Sequence, residues 1–252
     1  MEKLYIVMPA YNERDNIDRV AREWHEVAAN TGEASRLVIV DDGSKDDTYA
    51  KLLELQAELP QLVPLTKPNG GHGAALLFAY RYALEHGADY VFQTDSDGQT
   101  LPSEFAQFWE HRKNYDCLIG HRRKRQDGLS RIFVTKVLKL VLFLCFRVWV
   151  DDANTPYRLM SADSLKRCLT PIPDNYFLAN AVLSVTYKKW NYPVKFIPIT
   201  FRPRQGGRNS INLKRIFSIG KNAIRDFIMI NGIIEQNKTL PRENAHRKQG
   251  GK

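Results

Sequence analysis

Cysteine is scarce in this 252-residue chain, and the three that occur, Cys117, Cys145 and Cys168, stand singly in apolar or helical contexts. An odd count without metal-ligand spacing argues against a disulfide framework and predicts a reducing compartment. Also absent are zinc-finger spacing, an RNP-type aromatic motif and a heptad basic region, so we expect no nucleic acid as a partner. Because Met1 to Leu4 leads directly into a predicted strand, we expect no secretory signal.

Positive charge is what the chain has in excess, with a net charge of +9 and a pI near 9.4. Much of this charge falls in two stretches, Arg122 to Arg147 and Arg202 to Arg225. Clustered cations favour a surface that meets phosphate groups or anionic lipid over a general effect on solubility. The content of hydrophobic residues, 43%, is enough for one large domain or two small ones.

The first half of the chain alternates predicted strands with predicted helices. The strands cover 4–8, 37–40, 62–65 and 90–92, and the helices cover 14–29, 46–59 and 74–86, with another beginning near Pro102. Such alternation is typical of βαβ units, which build an α/β fold around a mostly parallel sheet flanked by helices. We expect Pro9 to end the first strand, because proline cannot donate to a ladder.

Polar side chains follow three of these predicted strands: Tyr11 to Glu13, Asp41 with Asp42, and Asp95 with Asp97. The carboxyl ends of parallel strands share one edge of a sheet, which is where ligands bind. We therefore expect all three clusters to line one crevice.

The stretch from Asp95 to Gln99 has the composition of a divalent-cation site. Two carboxylates one residue apart can converge on Mg²⁺ or Mn²⁺ and leave positions open for phosphate oxygens, while Gln99 adds a neutral oxygen. Taken alone, the stretch is better explained as a solvated turn. The other two polar strand ends are what favour the cation site.

The glycine-rich stretch from Asn69 to Gly73 has neither the GxGxxG pattern of dinucleotide-binding sites nor the GK[S/T] ending of a P-loop. It either lets the backbone approach a phosphate or simply opens the helix that follows. The residues do not decide between these two interpretations.

Three motifs, in this order and spacing, resemble those of family 2 glycosyltransferases of the GT-A fold: Pro9-Ala-Tyr-Asn-Glu13, Asp41-Asp-Gly-Ser44 and Asp95-Ser-Asp-Gly-Gln99. The resemblance covers roughly residues 4–210 and is greatest to the dolichol-phosphate mannosyltransferase and polyprenyl-phosphate glycosyltransferase branch. It implies a GT-A (Rossmann-like) α/β fold. It also implies an inverting transfer of a sugar from a GDP- or UDP-sugar to undecaprenyl or dolichyl phosphate at the membrane surface.

The same resemblance implies roles for the residues on the donor side. Those expected to contact the base and ribose are Pro9, Tyr11, Glu13 and Asp42. Those expected to bind Mg²⁺ or Mn²⁺ and the donor pyrophosphate are Asp95, Asp97 and Gln99. Residues 201–210 resemble a mobile loop in which Arg204, with Arg208, would neutralise the leaving diphosphate; a solvated basic loop is the alternative.

On the acceptor side, Cys117 to Arg122 resembles a strand-to-loop segment whose arginine binds the acceptor phosphate, and Ser130 to Thr135 resembles a helix start that faces the same phosphate. The resemblance therefore places Arg122, Arg131 and Thr135 on the acceptor, with Thr135 in place of a family serine. The predicted catalytic residues are Asp97, Arg122, Arg131 and Arg204.

The most apolar stretch, 132–150, is interrupted by Lys136, Lys139 and Arg147 and barely reaches the length of a membrane span. We predict an amphipathic helix that lies in the membrane interface, with Trp149 and the cations as anchors. A core helix whose lysines reach out to solvent is the alternative, and the two are compatible in part.

Residues 213–235 predict a second amphipathic helix that covers the sheet, lies on the membrane or forms an oligomer contact. We expect residues 1–212 to form the catalytic domain and 236–252 to be a disordered basic tail. The predicted protein is peripheral on the cytoplasmic face of the membrane. A second copy of the chain or a membrane-protein partner is left open.

Two other functions compete with this one. A family 2 enzyme of polysaccharide or cell-envelope biosynthesis that uses a glycan hydroxyl would need a carboxylate base, for which Asp151, Asp152 and Asp174 are the candidates. The first two could equally face the sugar, orient Arg158 or cap a loop. A binding module without catalysis would leave the ordered acidic strand ends unexplained.

Overall fold

The computed structural model describes residues 2–122, 129–203 and 213–238; side chains are described throughout except in 129–135 and 213–222. Within these ranges a short 3₁₀ turn, Pro102–Glu104, precedes α4. The strands are β1 (Leu4–Ala10), β2 (Arg36–Asp41), β3 (Leu62–Thr66), β4 (Tyr90–Gln93), β5 (Cys117–Arg122), β6 (Arg158–Ser161) and β7 (Val194–Ile199). The helices are α1 (Arg14–Thr31), α2 (Thr48–Gln56), α3 (His72–Glu85), α4 (Phe105–His111), α5 (Leu129–Phe146), α6 (Ala162–Leu169), α7 (Ala179–Lys189) and α8 (Leu213–Asn237).

The strands form one sheet in the order β3-β2-β1-β4-β6-β5-β7. All neighbours pair in parallel except those of β6, which is antiparallel to both β4 and β5. The expected mostly parallel sheet is therefore confirmed. The chain moves outward from β1 to β3 and then returns to place β4 on the other side of β1, so the strand order reverses there and opens a crevice at the carboxyl ends.

β1 continues through Pro9, so the expectation that this proline ends the strand is wrong. Pro9 is in register with Val40 of β2. Its carbonyl accepts the hydroxyl of Ser96, which means that the Pro9 nitrogen also faces the β4 side. Pairing with β4 has already ended at Val7 on that side, so the missing N–H removes no ladder hydrogen bond.

β6 is a strand that the sequence patterns did not predict, because its four residues follow a Thr-Pro turn and show no alternation. Arg158, its first residue, is 0% exposed. Its guanidinium donates four hydrogen bonds of 2.6 to 3.0 Å, to the carbonyls of Ala153, Thr155 and Asn180 and to the hydroxyl of Ser184. Arg158 therefore holds the 153–155 loop together and does not face the crevice.

The sheet separates two apolar cores. One is filled by α1, α2 and α4, where Trp24 packs 5.3 Å from Phe92 and Phe92 lies edge-on to Tyr157 at 4.7 Å. The other, larger core lies under α3, α5, α6, α7 and α8. Both faces of the central strands are thus covered, as parallel strands require.

Helices α5 and α8 join the larger core through Phe146 and Phe227, whose rings are 5.3 Å apart. The buried Lys189 of α7 ties the two helices together: it donates to the Phe146 carbonyl at 3.0 Å and to Asn231 at 2.7 Å, and it pairs with Glu235. No helix of the described residues has the length and apolarity needed to cross a bilayer. The proposed boundary between a catalytic domain and a C-terminal helix stays a prediction.

Candidate active site

The segments that follow β1 and β2 are joined by hydrogen bonds. The backbone N–H of Asn12 donates to Ser44 Oγ at 2.9 Å, and Lys45 N–H returns a bond to Asn12 Oδ1 at 2.8 Å. Glu13 N–H donates to Thr48 Oγ1 at 2.9 Å. The first two polar clusters therefore lie side by side, as expected because the carboxyl ends of parallel strands share one edge of a sheet.

The loop Asp95–Gln99, called here the acidic loop, continues from β4 to the same edge. The Ser96 hydroxyl ties it to β1 by donating to the Pro9 carbonyl at 2.9 Å. Burial alternates along the loop, and the residues left partly exposed are Asp95, Asp97 and Gln99. The three residues predicted to meet a cation are therefore the ones that this loop presents outward.

Gly98 is needed for the shape of the acidic loop. Its φ of +70° lies in the left-handed region, and a Cβ there would meet the Arg19 guanidinium at 2.5 Å. Any other residue at this position would strain the backbone, and the end of the Arg19 side chain would have to move.

Asp42 organises the glycine-rich stretch. Its carboxylate accepts the backbone N–H groups of Gly70 at 2.9 Å and Gly71 at 2.7 Å, and it pairs with Lys67 Nζ at 2.8 Å. Because Gly71 is the residue just before α3, the negative charge also lies at the positive end of that helix. Of the two interpretations of this stretch, the structure therefore shows the start of a helix, and the Asp42 carboxylate holds that start in place.

The residues predicted to hold the nucleoside differ in exposure. Tyr11 is 42% exposed. Glu13 is buried, and its carboxylate accepts the side-chain amide of Asn16 at 2.9 Å. Asp42 is buried as well. Of the four residues predicted to hold the nucleoside, the structure thus exposes Tyr11 and buries Pro9, Glu13 and Asp42.

His72 is a site residue that the motifs did not reveal. It is the first residue of α3, and its Nε2 lies 3.0 Å from Asp95 Oδ1. A carboxylate only accepts, so Nε2 carries the proton. Desolvation lowers the pKa of His72, but attraction to Asp95, their hydrogen bond, and the more distant Asp97 and Asp42 outweigh it, so the pKa is raised.

Gln99 connects the acidic loop to the segment after β7. Its side-chain amide donates to the Arg202 carbonyl at 2.8 Å, and Arg202 N–H donates back to the Gln99 carbonyl at 2.8 Å. The adjacent Phe201 ring lies 5.1 Å below the Arg122 guanidinium. The acidic loop and Arg122 therefore share one short segment as a common support.

Arg122, at the end of β5, forms a two-bond ion pair with Asp152 at 2.9 and 2.8 Å. Both side chains are largely buried, 11% and 7% exposed. Of the functions considered for Asp152, orienting an arginine is what the structure shows, but the arginine is Arg122 and not Arg158. Asp151, one residue earlier, is exposed.

Asp174 does not join the crevice. It is 82% exposed and pairs with Arg81 at 2.6 Å. Arg81 is nine residues along α3 from His72, about 13 Å from the crevice end of that helix at 1.5 Å per residue. A role for Asp174 as a base at the acidic loop is therefore not supported.

The remaining predicted residues cannot be placed in this way. Arg131 and Thr135 lie on the first turns of α5, where the backbone alone is described, and Arg204 and Arg208 lie outside the described residues. Within the described residues no group of three or more His, Cys, Asp or Glu side chains could hold a metal ion. Two carboxylates that leave positions for phosphate oxygens are nevertheless the donor set that Mg²⁺ takes at phosphate sites, so the acidic loop fits such a cation.

A family model for glycosyl transferase family 2 matches residues 5–227. The chain belongs to this family. The resemblance carried by the three motifs is thereby confirmed.

Curated relatives include undecaprenyl-phosphate 4-deoxy-4-formamido-L-arabinose transferase of Klebsiella pneumoniae, 28% identical over 87% of this chain. The chain spans 65% of that relative's length. UDP-N-acetylglucosamine–dolichyl-phosphate N-acetylglucosaminyltransferase of Methanococcus voltae is 28% identical, over 65% of this chain and 71% of the relative. Polyprenol monophosphomannose synthase of Mycolicibacterium smegmatis is 24% identical, over 82% and 80%.

Among solved structures, glucosyl-3-phosphoglycerate synthase of Mycobacterium tuberculosis with Mn²⁺ and UDP-glucose has a TM-score of 0.66. It is 18% identical, with 92% of this chain and 79% of that chain covered. At this identity the likeness shows a shared fold, in agreement with the GT-A-like sheet described above.

Proposed function

We propose that this family 2 protein transfers a sugar, with inversion, from a GDP- or UDP-sugar to a polyprenyl phosphate at a membrane surface. The observation that carries the proposal is the common support of residues 201–202, which joins the acidic loop to Arg122. The acidic loop, which suits a cation and a diphosphate, thus adjoins Arg122, which suits a phosphate. The curated relatives named above, whose acceptors are undecaprenyl, dolichyl or polyprenyl phosphates, support the same acceptor class.

On the donor side, Tyr11 offers its exposed ring to the base, with Pro9, Glu13 and Asp42 beneath it. Asp95, Asp97 and Gln99 would hold Mg²⁺ or Mn²⁺ beside the donor pyrophosphate. What a bound cation supplies there is positive charge against the departing nucleoside diphosphate. Arg204, outside the described residues, is proposed to assist.

On the acceptor side, Arg122 would bind the phosphate of the polyprenyl chain, together with Arg131 and Thr135 of α5. A phosphate oxygen attacks the anomeric carbon while the bond from that carbon to the diphosphate oxygen breaks, which inverts the centre. The phosphate is already an anion at neutral pH, so no strong base is needed. Positioning by the arginines would provide much of the acceleration.

The state of two of the three candidate bases, Asp152 and Asp174, favours a phosphate acceptor over a sugar hydroxyl. Arg122 engages both carboxylate oxygens of Asp152. Asp174 pairs with Arg81 away from the crevice, and Asp151 is exposed. A hydroxyl acceptor would need one of these groups at the anomeric carbon with a free oxygen.

A membrane surface as partner is supported by apolar side chains that α5 and the segment after it leave exposed. The same segment also exposes the cations Lys136 and Arg147, as expected for a helix lying on anionic lipid. The exposed apolar side chains are Val137, Leu140, Phe143, Leu144 and Trp149. We infer a peripheral location on the cytoplasmic face, where nucleotide sugars are made available.

The test is an acceptor competition with labelled UDP- and GDP-sugars in the presence of Mn²⁺. We expect label in the lipid fraction when undecaprenyl or dolichyl phosphate is supplied, and none on soluble glycans. Chelation by EDTA and the Asp97→Asn substitution should each abolish the lipid product, whereas Asp151→Asn, on an exposed carboxylate, should not. Label on glycans alone would instead establish the hydroxyl-acceptor function.

A further inference from the structure

The start of α3 is held in place from two sides. Asp42 binds the two backbone N–H groups just before His72. On the other side, a Cβ at Gly73 would lie 2.2 Å from the Tyr176 carbonyl oxygen, so only glycine permits this close packing. The backbone that carries His72 is therefore fixed in position relative to the crevice.

This fixed backbone delivers the His72 ring to one oxygen of Asp95. The Nε2 proton is donated to Oδ1 at 3.0 Å, and within the described residues Oδ2 has no hydrogen-bond partner. Asp95 is 24% exposed and His72 51%, so both reach the crevice. One carboxylate oxygen is thus held by the protein and the other is left for a ligand.

We propose that His72 is a positioning residue that orients Asp95 for the divalent cation: Nε2–H holds Oδ1 and turns Oδ2 toward the metal. The inference rests on the cation site of the proposed function. Carboxylate ligands of metals are usually held by such a neighbouring donor, and removing the donor commonly weakens metal affinity by roughly 10–100-fold. Among the described residues no third carboxylate joins the two of this site, so the site depends strongly on the orientation of each.

The test measures Mn²⁺ affinity by the EPR signal of free Mn²⁺, with UDP and, separately, with GDP present. In His72→Phe the ring remains but the donor is lost, so we expect affinity to fall at least about 10-fold. In His72→Gln an amide N–H can replace Nε2–H, and most of the affinity should return. The matched control is His86→Phe, the same substitution at the opposite end of α3, where the ring bonds the Tyr82 carbonyl instead.

Three results would overturn the inference. Mn²⁺ affinity in His72→Phe equal to that of the unaltered protein would show that His72 does not orient Asp95. Absence of Mn²⁺ binding by the unaltered protein with either nucleotide would remove the cation site itself. A direct ¹⁴N coupling to bound Mn²⁺, lost in His72→Phe, would make His72 a ligand instead. Only the second of these also counts against the cation part of the proposed function, and none depends on which acceptor is used.

Discussion

The ends of β4 and β5 lie on one edge of the sheet but are held by different interactions. At β4, the acidic loop and the neighbouring strand ends are joined by many separate hydrogen bonds, such as those from Ser96, Asn12 and Glu13. At the end of β5, the described residues are held by a buried ion pair, Arg122 with Asp152, above an aromatic ring. The donor side should therefore tolerate the loss of one of these hydrogen bonds between strand ends, and the acceptor side should not tolerate the loss of its ion pair.

The difference suits the two ligands proposed for these sides. A nucleotide with a cation needs several groups fixed at set distances, which a network of backbone bonds provides. A lipid phosphate needs a guanidinium held in one orientation, and a bidentate carboxylate provides that orientation. Substitutions on the two sides should consequently separate in both stability and ligand binding.

The largest effect is expected at Arg158, which supports the loop next to Asp152. Arg158→Met removes the four hydrogen bonds that the buried guanidinium donates to three carbonyls and the Ser184 hydroxyl, so we expect a loss of about 3 kcal/mol or more in the free energy of unfolding. Urea denaturation followed by circular dichroism measures it. The control is Arg14→Met, whose exposed pair with Asp47 should contribute less than about 1 kcal/mol. Equal losses in both variants would show that Arg158 is not the support of this side.

The Arg122–Asp152 pair is expected to show the next largest effect. Arg122→Met removes both hydrogen bonds that the guanidinium donates to the buried Asp152 carboxylate, which should cost about 3 kcal/mol in unfolding free energy. Arg122→Met combined with Asp152→Leu should recover most of that stability, because the buried carboxylate is removed together with its guanidinium partner. Use of polyprenyl phosphate should stay lost in both, while UDP or GDP binding, measured by calorimetry, should persist.

A different outcome for the double variant would be informative. If lipid transfer returned together with stability, Arg122 would have only a structural role, and the acceptor phosphate would be held elsewhere. If nucleotide binding fell as strongly as lipid transfer, the two sides of the crevice would not be separable.

The strand ends could be predicted from sequence because polar clusters follow apolar runs, and parallel topology then brings them to one edge. Contacts between residues that are far apart in the sequence could not be predicted in this way. The partners Arg122 and Asp152 are 30 residues apart, and His72 and Asp95 are 23 apart, with no periodicity to join them. β6 could not be predicted from sequence either, because its four residues are too few to show an alternation of apolar and polar side chains.

Helix α8 shows a further limit of this kind. Its apolar periodicity places Ile224, Phe227 and Ile228 on one apolar side, and it leaves open whether that side covers the sheet, lies on the membrane or contacts a second copy. In the structure Phe227 and Ile230 are buried while Ile224 and Ile228 are exposed. Periodicity indicates the direction of an apolar face. How much of that face is buried depends on the helices packed against it, which here are α5 and α7.

The smallest effect is expected at Ser96, and it tests the tolerance of the donor side. Ser96→Ala removes the hydroxyl donated to the Pro9 carbonyl, a single bond worth about 1 kcal/mol, and the other ties between strand ends remain. We expect the free energy of unfolding to fall by about that amount. The affinities for Mn²⁺ and for the nucleotide should change less than about threefold, which corresponds to about 0.6 kcal/mol in binding free energy. Ser103→Ala, at an exposed position, should change neither quantity. A large loss of nucleotide affinity in Ser96→Ala would mean that the acidic loop is placed by one bond, so that the donor side would be as fragile as the acceptor side.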